Sequence, residues 1–295
     1  MALRYEEWLP DATGLQDVIT AYWYVSGDGS NAPSSAVLPD GHVELVFHAG
    51  DAVDLEGPAY AGTQPARAVV GPLSQAIRLQ YRGVVDTFGI RFHPARGAAF
   101  FGRTSSSLVD KLLVLADVSS ELDLAFSGLM GAWSPGNPRW RAAIDHVLLD
   151  HLASALPADM AVVAMVDRLT RSDPIPTVEQ IADELGLSTR QAQRRFVRAV
   201  GMPPKKFVRV LRFSRLWQTA SMGSPETWAS LAADHGYADQ AHMAREFRAF
   251  GVEPPSHFFS SDWYDATTLA RISGPAQGER RSRHVRSVQD RAASR

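Results

Sequence analysis

Two stretches decide how this chain folds: TVEQIADELGLSTRQAQRRFVRAVG at Thr177–Gly201 and TWASLAADHGYADQAHMAREFRAFG at Thr227–Gly251. They are copies of one unit set about 50 residues apart. Thr177 aligns with Thr227, Ile181 with Leu231, Ala182 with Ala232 and Gly186 with Gly236. After the glycine the second copy carries one extra residue, so Ala192, Arg194 and Phe196 match Met243, Arg245 and Phe247. The registers rejoin at Gly201 and Gly251. Homologous helix–turn–helix units tolerate such a slip within a turn.

The local chemistry of both copies reads helix, turn, helix. Ile181, Ala182 and Leu185 recur at helical spacing, and Gly186 stands where a helix closes at positive φ. Ser188 supplies an N-cap oxygen for the next helix, and Gln191 three residues on completes a capping box. Beyond it Ala192, Phe196, Ala199 and Val200 form an apolar stripe, which turns Arg190, Gln193, Arg194 and Arg198 to the opposite face. In the second copy Asp239 is the cap and Met243, Phe247 and Phe250 point inward. Ala241, Ala244, Arg245 and Arg248 point away, with Gln240 at the border.

Between the copies Pro203-Pro204 stops the first unit, and residues 205–217 read as one long helix. Phe207, Val210, Leu211, Ser214 and Trp217 form its expected buried side, with Lys205, Lys206, Arg209, Arg212 and Arg215 largely outside. From Ser188 to Arg215 the chain carries nine Lys or Arg and no acid. Alone, such a run reads as a solvated helix face. Placed on repeated, capped helices it is the footprint of a phosphate-binding surface. A helix fits the B-DNA major groove, and Arg or Gln pairs bidentately with guanine or adenine edges. A rigid connector would present two such helices about 34 Å apart, one turn of the duplex. The residues expected to contact DNA are Arg190, Gln193, Arg194, Arg195 and Arg198, then Lys205 and Lys206, then Gln240, Arg245 and Arg248.

These features resemble the AraC/XylS transcriptional regulators. The resemblance is carried by the duplicated unit, the cores AQRRF (192–196) and MAREF (243–247), the connecting LRFSRLWQTA (211–220) and the closing GYADQAHMAREFRAFGVEPPSHF (236–258). It covers residues 160–262. It implies a bacterial, cytoplasmic activator or repressor that binds double-stranded DNA through both units. By motif position Arg190, Gln193 and Arg194 match the family's first base-reading helix, and Gln240, Ala241 and Arg245 the second. Family members can also bind an effector at the amino-terminal domain, form homodimers and, as activators, contact RNA polymerase. The family's alkyl-transfer members depend on cysteines, and this chain has none. Ala241 and Ala244 fall where longer polar side chains would reach bases, so the first copy is expected to supply most direct readout.

The amino-terminal half is of another kind. Residues 19–25, 42–48, 68–70, 76–81 and 86–92 are aromatic or β-branched runs punctuated by Gly, Pro and Asp, which predicts a small barrel or sandwich. Helical material is expected near 95–102, over 120–133 and over 139–155, broken at Ser134–Pro138. LPDGHVELVFHAGD (38–51) with FGIRFHPARGAAFFG (88–102) is similar to the amino-terminal domain of a subset of these regulators. Residues 1–150 carry a net charge of −7, which keeps this half away from phosphate and leaves the basic stripe to dock. The expected architecture is therefore α+β, in three parts. A β-rich sensor or dimerisation domain with flanking helices takes 1–155, and an all-α domain of two helix–turn–helix units joined by a long helix takes 156–265. An Arg-rich tail at 266–295, poor in apolar anchors, reads as disordered.

The same sequence bears on other functions. The absence of cysteine removes disulfides and thiol nucleophiles and fits a reducing compartment. The first residues carry acids and no signal-peptide apolar run, and no apolar stretch approaches the roughly 20 residues that span a bilayer. His42, Glu44, His48 and His93 raise a metal-dependent, cupin-like enzyme fused to a helical domain. His42 and His48 lie about 20 Å apart on a straight strand, too far to share an ion, so no metal, no cofactor and no catalytic role is expected. A helical protein-interaction module without a DNA role is the other alternative. The aromatic group Tyr22, Trp23, Tyr24, Phe47, Phe88 and Phe92 is expected to be core rather than pocket lining.

Overall fold

The computed structural model describes residues 3–251 apart from 31–33, 59 and 222–226. The expected tail at 266–295 and the closing segment of the second unit after Gly251 lie outside the described residues. Strands β1 (Arg4–Trp8), β2 (Ile19–Asp28), β3 (Ser35–Val37), β4 (Glu44–His48), β5 (Val53–Glu56), β6 (Ala61–Thr63), β7 (Arg67–Val70), β8 (Ile77–Tyr81), β9 (Val84–Phe92) and β10 (Leu112–Val114) form two antiparallel sheets. The larger runs β1-β2-β9-β4-β7-β10 and the smaller β3-β8-β5-β6. Each of the five runs read as strands lies in one of these, at β2, β4, β7, β8 and β9.

Alternation along β2, β4 and β9 gives the larger sheet two apolar faces. Val46, Trp23, Val25 and Val85 pack inside the sandwich. A Cβ on Gly89 would come within 2.0 Å of the Trp23 indole, so the ring lies flush on bare backbone there. On the opposite face Tyr22, Leu45, Phe47, Phe88 and Ile90 pack under helices α1 (Gly97–Phe100), α2 (Leu115–Val118), α3 (Ser120–Met130) and α4 (Pro138–Leu152). Phe126 of α3 meets Phe47 at 4.7 Å between ring centroids, and Trp140 of α4 meets Phe88 at 5.1 Å. Each such ring contributes about 1.5–3 kcal/mol by leaving water. The buried carboxylate of Asp145 accepts from the Tyr22 hydroxyl at 2.6 Å and from the Ala12 N–H at 2.7 Å, which pins α4 to the sheet. The aromatic group is thus core, with Tyr24 half-buried and donating to Asp86.

Six helices complete the fold: α5 (Met160–Arg171), α6 (Val178–Glu184), α7 (Thr189–Val200), α8 (Pro204–Ser221), α9 (Trp228–Asp234) and α10 (Gln240–Ala249). One apolar cluster runs through all of them, and Ala36, Leu38 and Ala95 of the β-rich part belong to it. Connector helix α8 explains why a single buried stripe was the wrong expectation for it. Phe207 faces Phe196 of α7 at 5.5 Å, while Phe213 faces Phe247 and Phe250 of the second unit at 4.7 and 5.4 Å. A helix clasped between two units needs an apolar side for each, so Phe213 and Leu216 are buried along with Phe207 and Val210. Leu211 and Ser214 are only half-buried, and the Trp217 side chain lies outside the described set. No described helix is long and apolar enough to cross a membrane.

Candidate nucleic-acid interface

Both helix–turn–helix units are built from the same local devices. In the first, the Thr177 and Ser188 side chains cap α6 and α7, each in a reciprocal capping box with the Gln three residues on. In the second, Thr227 and Asp239 cap α9 and α10. Such caps are worth about 1 kcal/mol apiece. The turn between the paired helices passes through Gly186 at φ +66° and Gly236 at φ +71°, a conformation that favours glycine.

On α7, Ala192, Phe196 and Val200 are fully buried, while Arg190, Gln193, Arg194 and Arg198 are exposed. None of these four makes a hydrogen bond or ion pair among the described residues. On α10, Met243 and Phe247 are fully buried, and Gln240, Ala241, Arg245 and Arg248 are exposed. The two helices therefore present cations and amides on their outer faces and no free acid between them.

Four other cations of the stripe, expected to face outward, are partly exposed and also engage protein partners. Arg195 forms a two-pronged pair with Asp159, the N-cap of α5, and this bonding holds the Asp159 carboxyl below its ordinary range. Lys206 donates to the Ser74 carbonyl at 3.0 Å, and its burial pulls the ammonium down from the usual lysine range. Arg209 pairs with Glu246, and Arg215 donates to the carbonyls of Thr170 and Ser172 at 2.9 Å each, closing the end of α5. Arg212 lies over the Tyr237 ring at 5.5 Å. Lys205 stays exposed, 4.0 Å from Glu179.

Glu246 and Asp159 were not singled out by sequence reasoning, though signals existed. Met243, Glu246, Phe247 and Phe250 fall at i, i+3, i+4 and i+7, so the acid stands on the inner stripe of α10. Asp159 precedes the apolar run Met160–Val166 as an N-cap would.

The residues considered for a metal are dispersed. Glu44 accepts from Arg91 at 2.9 Å, His42 Nδ1 bonds the Phe92 carbonyl at 2.6 Å, and His48 Nδ1 bonds Thr87 at 2.9 Å. His93 faces Asp167 of α5 at 3.5 Å. Among the described residues no group of three or more His, Cys, Asp or Glu is placed to hold an ion.

Comparison with known proteins gives two family matches: a helix-turn-helix domain over residues 181–261 and a domain of unknown function (DUF6597) over residues 7–113. No curated protein matches the chain. Among solved structures, ToxT from Vibrio cholerae is similar at a TM-score of 0.42 and 9% identity, covering 80% of this chain and 98% of that one. An unsaturated fatty acid-bound ToxT from Vibrio cholerae is similar at 0.42 and 12%, covering 87% and 94%. The AraC-like transcriptional activator CuxR is similar at 0.23 and 15%, covering 75% and 88%. At these scores the likenesses add nothing to the reading of individual residues. Twin capped units clasping a shared helix, matched over residues 181–261 as a helix-turn-helix domain, make this a DNA-binding transcriptional regulator whose helical half is similar in its motifs to the AraC/XylS regulators.

Proposed function

We propose that α7 and α10 enter successive major-groove segments of a bipartite operator. In this reading Arg190, Gln193 and Arg194 read bases in one segment, and Gln240 and Arg245 in the other. Arg198, Arg248 and Lys205 neutralise phosphates, while Arg195 and Lys206 hold the domain together. The observation that carries the reading is the exposed row Arg190, Gln193, Arg194 and Arg198, unpartnered among the described residues, on a helix whose opposite side is fully buried. Residues 1–155 act as the sensing domain and 156–265 as the DNA-binding domain of a non-enzymatic cytoplasmic regulator.

Room for an effector lies between these parts. A cleft of about 820 Å³ is lined by His42, Arg91 and His93 at the sheet end, Asp167 of α5 and Phe207 of α8. That size is in the range of small-molecule sites.

The test is in vitro site selection with the full chain, followed by titration of the selected duplex across a salt series. Binding should weaken by about 0.9 log units per phosphate contacted for each log unit of salt. Failure to select any sequence, or binding indifferent to salt, would falsify the reading.

A further inference from the structure

We infer that residues 71–76 and 105–111 of the β-rich domain form a platform that fixes the separation and tilt of the two recognition helices, and so sets the half-site spacing the protein accepts. The inference rests on the DNA-binding reading above. The last carbonyls of a helix have no donor within the helix and must find one elsewhere. In both recognition helices that donor comes from the same patch of the β-rich domain. The fully buried Ser105 hydroxyl donates to the Ala199 carbonyl of α7 at 2.5 Å. The Ala76 N–H donates to the Phe250 carbonyl, at the cap of α10, at 2.8 Å. Lys206 of the connector helix donates to the Ser74 carbonyl of the same patch. Val109 packs so close to Gly201, just past α7, that a Cβ there would lie 2.7 Å from it.

The two segments behave as one body because Asp110 ties them. Its N–H donates to the Pro72 carbonyl at 3.0 Å, and its carboxylate accepts the Ser74 N–H at 2.7 Å. Gly71 donates to the Lys111 carbonyl at 2.9 Å. Asp110 holds φ at +53°, the one described non-glycine residue at positive φ. The platform thus grips the C-terminal ends of α7 and α10, opposite the N-terminal turns from which recognition helices reach base edges. One inserted base pair moves a half-site by about 3.4 Å and turns it by about 35°. Helices pinned to one body follow that shift less readily than helices held by α8 alone.

Ser105→Ala removes the donor to α7. Asp110→Gly keeps the positive φ and removes the carboxylate that joins the segments. Neither residue belongs to the proposed DNA contacts. The full chain, each variant and the double variant are titrated by fluorescence anisotropy against the selected operator and against duplexes with one base pair added or removed between half-sites. Circular dichroism shows which are folded at the assay temperature, and the ratio of affinities cancels any inactive fraction. The expected result is a loss of about 3- to 10-fold in spacing discrimination for each variant, restored by Ser105→Thr. A double variant that discriminates as sharply as the parent overturns the platform. A parent chain that selects no operator overturns instead the DNA reading on which it rests.

Discussion

The two helix–turn–helix units share a plan and differ in where they keep their charges. The first sets Arg190, Arg194 and Arg198 outward on α7 and anchors itself through Arg195, whose partner Asp159 belongs to a neighbouring helix. The second carries Glu246 within α10, 5% exposed, holding Arg209 of the connector, and offers alanines at positions 241 and 244 of its outer face. Packing is equal in the two, since Phe196 and Phe247 are both fully buried against rings of α8. Duplication thus preserved the core and the caps, while the polar residues diverged: the first unit leaves more cations on its outer face, and the second turns an acid inward to the connector.

The largest effect should come from the shared part of the comparison. Phe196→Ala and Phe247→Ala should each cost about 3–5 kcal/mol in chemical denaturation, because each leaves a cavity in the same cluster. A far smaller cost for Phe247→Ala would mean that the second unit is only loosely docked. The next effect separates the units. Arg194→Ala should lose about 1–3 kcal/mol of discrimination at one base of the selected operator. Arg245→Ala should weaken binding with less change in sequence preference, and footprinting that ranks them the other way would reverse the assignment of roles.

The smallest effect is electrostatic. The Arg195 bond lowers the folded-state pKa of Asp159, so its stabilisation is complete above the ordinary carboxylate range and disappears as pH falls through the folded value. With Arg195 a third exposed, the contribution should be at most about 1 kcal/mol. Melting curves of Arg195→Met and parent should converge as the solution is acidified below the ordinary carboxylate range; a gap that stays constant with acidification would show that the guanidinium acts through packing instead.

What the sequence made legible follows from how strongly each feature constrains the chain. The repeat, both caps, both turn glycines and the inner faces of α7 and α10 were readable, because helical periodicity and capping leave signals within a few residues. Five strands were not read, and four of them, β1, β3, β6 and β10, are the edges of the two sheets. Edge strands are short and half-solvated, so they lack the apolar density that marks β2 or β9. The partners of Arg195, Lys206 and Arg209 lie 36, 132 and 37 residues away in sequence. Local pattern shows that a cation is present on a helix face but not which carboxylate or carbonyl the fold brings to it.

Leu38 and Ala95 sit in the same apolar cluster as the helices that follow residue 160, and Gly41 lies flat against the Phe207 ring. Truncation near residue 155 would therefore leave a greasy scar on each fragment rather than two clean pieces. The solubility or affinity of a miniaturised version would then reflect that bared surface as well as the missing half.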